Sequence, residues 1–138
     1  MSEGSELQPI EPHIRDVPSL DDAVVIVRGG PMTVEKLVEH AQRERHRYSC
    51  RGAAMPSISV DATSTAGLWR RSCVNDSGAE SSYATTTVGA LRASGYELLP
   101  TFESPHHDLL ISAASREAAS TLLASFGPAE RNPYRRRR

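Results

Sequence analysis

Apolar residues recur along this chain in two rhythms, one of period two and one close to 3.6. The β-branched run Val24-Val25-Ile26-Val27 predicts a buried strand over about Ala23 to Arg28. Val34, Leu37, Val38 and Ala41 then fall at i, i+3, i+4 and i+7, which predicts a helix capped by Thr33. Lys36, Glu39, Arg43 and Arg47 occupy the other face of that helix. Ser57-Ile58-Ser59-Val60-Asp61 alternates polar and apolar, as a half-buried strand does. Thr63 to Cys73, with Trp69, reads as a short helix, and 75–82 as a small, polar loop.

The second half repeats the alternation of element types. Tyr83-Ala84-Thr85-Thr86 is β-prone, and Thr86 or Thr87 caps a short helix through Val88, Leu91 and Arg92, ended by Gly95. Tyr96 to Thr101 and His107 to Ala113 read as strands joined by the turn Glu103-Ser104-Pro105. Ser115 caps a last helix with Ala118, Ala119, Leu122, Leu123 and Phe126 inward, and Gly127-Pro128 stops it. The expected fold is a single α+β (mixed α/β) domain over 21–128, a mixed sheet of about five strands with helices packed on it. Residues 1–20 read as an acidic, Pro-containing flexible arm and 129–138 as an Arg-rich flexible tail.

Charge sharpens this division. Net charge is only −1, yet residues 1–22 carry six acids against Arg15 alone. Arg43 to Arg51 holds four arginines against Glu44, and Arg131 to Arg138 holds five with no acid. The tail suits either plain solvation or a nonspecific phosphate tether, since arginines near a polyanion release counterions. The arm and tail are also the candidate contacts for a protein partner. No stretch approaches the roughly 20 apolar residues of a membrane span, so no membrane partner is expected. The amino terminus is polar rather than signal-like, and the expected location is cytoplasmic. Cys50 and Cys73 lack CxxC spacing and read as reduced thiols. His106-His107-Asp108 is the only dense group of metal-ligand types, and strand neighbours point to opposite faces, so no metal is expected.

The candidate chemistry begins at Arg28-Gly29-Gly30, where a guanidinium leaves a buried strand just before a helix start at Thr33. Glycines there let backbone approach a bound group, and the helix's first N–H groups face the same space, which together suit an anion. The pair lacks GxGxxG and a P-loop lysine, so neither nucleotide signature is present. His106 and His107, at the mouth of the last strand, are the candidate proton-transfer groups. With Arg28 holding phosphate, they suit metal-independent cleavage of RNA or a nucleotide phosphoester, as in small bacterial toxin or defence modules. Arg70 and Arg71 beside Trp69 add cations and a stacking surface for RNA. The reading requires no cofactor. A non-catalytic protein- or nucleic-acid-interaction domain accounts for the same charge pattern.

A second pattern lies in the order of Arg28, Ser59 and Glu97 along successive strands. That order is similar to the Arg–Ser–Glu class of ADP-ribosyltransferases. The resemblance implies NAD as cofactor, with Arg28 holding its phosphates, Ser59 ordering the pocket and Glu97 steadying the ribose and positioning the acceptor. The chain departs from the class in lacking Ser-Thr-Ser on the strand and a paired acid motif.

Overall fold

The structure is a computed structural model that describes residues 9–50, 52–63 and 82–131. It is the single α+β domain expected, with six strands in the main sheet and three helices among the described residues. In chain order the elements are β1 (Val25–Gly29), α1 (Val34–Arg47), β2 (Ser49–Cys50), β3 (Ala53–Ala54), β4 (Ser57–Thr63) and β5 (Ser82–Thr87). Then come α2 (Val88–Ala93), β6 (Glu97–Leu99), β7 (His106–Leu110), α3 (Arg116–Leu123) and β8 (Glu130–Arg131). The main sheet runs β6-β7-β4-β1-β5-β8, and β2 and β3 form a separate hairpin. Among the described residues every pairing between these strands is antiparallel, where the periodicity suggests a mixed sheet of about five strands. The sixth strand, β8, lies where the tail was expected, and Arg131 pairs with Ser82.

Local chemistry explains the helices. The hydroxyls of Thr33, Thr87 and Ser115 accept from the backbone N–H of Lys36, Ala90 and Ala118, satisfying one otherwise orphaned donor each. Gly95 follows α2 at φ 86°, a left-handed turn that a Cβ would strain.

All three helices cover one face of the sheet. Leu37 and Ala41 of α1, Val88 and Leu91 of α2, and Ala119 and Leu122 of α3 meet Ile26, Ile58, Val60 and Leu109 in the main core. Alternation sends Ser57, Ser59 and Asp61 to the other face, beside Leu110, Asp108 and His106. A smaller cluster of Cys50, Met55 and Leu99 covers part of that face. The segment expected as a flexible arm is docked here from residue 10 onward. Ile10 bridges to Tyr48, Ile14 pairs with Thr101, and Arg15 donates to the carbonyls of Pro100 and His106. The helix expected at Thr63–Cys73 and the loop at 75–82 lie outside the described residues, apart from Thr63 in β4 and Ser82 in β5.

Candidate functional site

The site begins where two strands part. β1 pairs with β4 only from Val25↔Thr63 to Val27↔Asp61. Beyond that point β1 continues along β5 as far as Gly29↔Tyr83, while β4 continues along β7 as far as Ser57↔Leu110. The split leaves the N–H of Ser59 without a strand partner, and His40 of α1 fills the place. Ser59 N–H donates to His40 Nε2 at 3.3 Å, and His40 Nδ1 lies 3.5 Å from Arg28 Nη2.

A neutral imidazole has one lone pair to share between those two donors, and a protonated one has none. Burial, reinforced by the charges of Arg28, Arg43 and His106, accordingly pushes His40 down to about 4. His40 is a neutral ring at physiological pH.

Arg28 is 6% exposed. Its Nη1 donates to the carbonyls of Pro31 at 3.0 Å and Gly29 at 3.3 Å, and reaches Met32 Sδ at 3.6 Å. Much of its hydrogen bonding thus closes the turn that the glycines make. Gly30, at φ 105°, takes a conformation open to glycine. Thr33 spends its hydroxyl on the helix cap.

On the other side of the split, Asp108 is completely buried. Ser57 Oγ donates to its Oδ1 at 3.2 Å and Thr101 Oγ1 to its Oδ2 at 2.7 Å. Thr101 is itself fully buried and has only one proton to give. Its hydroxyl oxygen, 3.1 Å from His106 Nδ1, therefore accepts, and the Thr101 carbonyl at 3.2 Å can only accept. Both contacts put the hydrogen of the neutral ring on Nδ1 and leave the lone pair on Nε2. The ring packs edge-on to Phe102, which packs in turn on Tyr48. His106 is thus a half-buried imidazole with one tautomer, held through Thr101 by a carboxylate. Glu44, one helical turn beyond His40, is 6% exposed, and burial followed by the charge of Asp108 pushes its carboxyl up.

The sequence candidates therefore separate. Arg28 and Ser59 meet at the split around His40, while His106 lies on the other face of the sheet, opposite Asp61. His107 lies on the opposite, helix-covered face, because strand neighbours alternate. Glu97 stands on the edge strand β6, with β7 and β4 between it and β1. It does not converge with Arg28 and Ser59 as the ADP-ribosyltransferase order implies. Arg70 and Arg71 lie outside the described residues. Among the described residues there is no group of three or more His, Cys, Asp or Glu suited to a metal ion.

His40 and Glu44 escaped the sequence reading, although Leu37, His40, Ala41 and Glu44 repeat the spacing of one helical face. That face was read only from its apolar members. Asp108 carried a similar signal, a charge on a strand with leucine two residues away. Thr101 and Ser57 had none, since only the fold brings them to Asp108. The chain matches no protein-family model, and neither curated proteins nor solved structures show significant similarity to it.

Proposed function

We propose that this protein is a small cytoplasmic enzyme that cleaves RNA or a nucleotide phosphoester, with His106 as its acid–base residue. The observation that supports this is the chain from Asp108 through Thr101 to His106, with an Nε2 lone pair at its outer end. A carboxylate that orients an imidazole through a hydroxyl is a positioning device for proton transfer. Arg28 and Arg43 add positive potential at His40, where it depresses the ring's basicity, and that potential is the attraction for a phosphate in this reading.

In this mechanism His106 Nε2 takes the proton of a ribose 2′-hydroxyl. The 2′-oxygen bonds to phosphorus as the bond from phosphorus to the 5′-oxygen breaks. The imidazolium then returns its proton to the departing 5′-oxygen. Thr101 and Asp108 hold the ring and stabilise its charged form. Arg28, at 6% exposure, acts through its field and by holding the turn rather than as an open clamp. A cytoplasmic setting suits Cys50, a buried free thiol.

The test is incubation of the purified chain with RNA in the presence of EDTA. Cleavage is expected, and His106→Ala should reduce it by about a hundredfold to ten-thousandfold. Intact RNA, or cleavage unchanged in His106→Ala, overturns the proposal.

A further inference from the structure

The second histidine of the pair serves a different place. His107 lines a cavity of about 310 Å³ at the β6 edge of the sheet, together with Pro18, Leu20, Tyr96, Leu98 and Pro100. This is the lower end of the range for small-molecule sites, about 300–1,000 Å³, and room for a single ring system. Ser19 and Glu97 complete a wall of mixed polar and apolar side chains, in which Tyr96 offers an aromatic face. Arg92 also borders the cavity, but its guanidinium donates to Leu20 O at 2.6 Å, Ser19 Oγ at 2.7 Å and Asp22 Oδ1 at 2.9 Å. Its hydrogen bonds knit the segment 19–22 to α2, so it is committed to the wall.

His107 is 5% exposed, and its Nδ1 lies 3.2 Å from the carbonyl of Pro105. A carbonyl can only accept, so Nδ1 carries the hydrogen and Nε2 of the neutral ring is an acceptor. Nε2 makes no hydrogen bond to the described residues. Burial, with the charges of Arg15 and His106, holds the basicity of this ring below its ordinary value. A neutral imidazole acceptor beside apolar and aromatic walls complements a ring that is itself uncharged and brings one donor.

We propose that this cavity is a binding site for a small uncharged aromatic heterocycle whose ring N–H donates to His107 Nε2. The site is separate from the acid–base site, since His106 and His107 face opposite sides of the sheet. It does not depend on the proposed reaction.

Indole and 1-methylindole probe it directly, because they share an aromatic body and differ in the donor. Each is titrated into the full chain and followed by NMR of the backbone amides and histidine ring nitrogens. Indole should shift Tyr96, Leu98 and His107 Nε2, and bind about threefold to tenfold more tightly than 1-methylindole. His107→Phe, which keeps a ring in place, should abolish that difference. Leu98→Trp should fill the cavity and weaken both probes. Equal binding of the two probes to the native chain overturns the proposal, as does no binding at millimolar concentration or shifts confined to another surface. These readouts do not involve RNA cleavage, so the two proposals fail separately.

Discussion

The backbone N–H of Ser59 donates to Nε2 of His40 at 3.3 Å, so a helix side chain stands where a neighbouring strand would pair. This contact lets β1 and β4 part without leaving the Ser59 donor unsatisfied. His40→Ala removes the acceptor and should destabilise the protein by about 1–3 kcal/mol. His40→Gln, whose side-chain carbonyl can accept, should recover part of the loss. Urea midpoints of the three proteins check this, and equal midpoints would show that the contact contributes nothing.

The same ring sets a pH dependence. Folding lowers His40 from 6.5 to about 4, so between those values the unfolded chain binds more protons. The stability it supports is complete above pH 6.5 and is lost as pH falls toward 4. His107 acts in the same direction and Glu44, whose carboxyl is raised, in the opposite one. Comparison with His40→Gln isolates the term. The native chain should lose up to about 3 kcal/mol more than the variant over that window. Parallel stability–pH curves would contradict it.

Asp108 and Glu44 are two buried carboxyls whose charges oppose each other. In Asp108→Asn the Glu44 carboxyl should therefore titrate lower, which carbon-detected NMR of the side chain reports. Thr101→Val keeps the shape of residue 101 but breaks the link to His106. It should slow RNA cleavage and alter its pH profile, while an effect on stability alone would leave Thr101 a purely structural residue.

Gly30 and Gly127 offer a matched pair. Gly30→Ala places a Cβ at φ 105° and should cost about 1–2 kcal/mol, displacing the Pro31 carbonyl that Arg28 holds. Gly127→Ala brings a Cβ to 3.5 Å from Thr85 O, an ordinary contact, and should be close to neutral. Thermal unfolding of both variants decides whether the left-handed turn matters.

Arg15 ties the leading segment to the site's edge through Pro100 O at 3.2 Å and His106 O at 2.7 Å. Arg15→Ala should speed limited proteolysis between residues 9 and 20 severalfold. An unchanged cleavage pattern would mean that the backbone bonds of Ile10, Arg15 and Phe102 suffice to hold it.

The candidate site was partly legible beforehand. Arg28 and His106 stood out because each is a charged or titratable group at the end of an apolar run. His40 and Glu44 did not, because a helix read by its leucines and valines hides polar members of the same face. The segment at 9–15 has no periodicity, so by sequence it falls within the flexible arm expected over 1–20. It is ordered instead by backbone hydrogen bonds to Arg47, Pro100 and Phe102, which no side-chain pattern records.

Order along the chain is a local matter, and the amino acids settled it by themselves. Cap hydroxyls, glycine stops and the two apolar periods act within a few residues, and they determined the α+β class, most elements and the opposite facing of His106 and His107. Strand order is not local. Which strands become neighbours depends on burying all their apolar faces at once, and only the tertiary structure decided it. That packing brought Arg28 to His40 rather than to Glu97. It also sealed Asp108 behind Thr101 and left His107 at a cavity of its own.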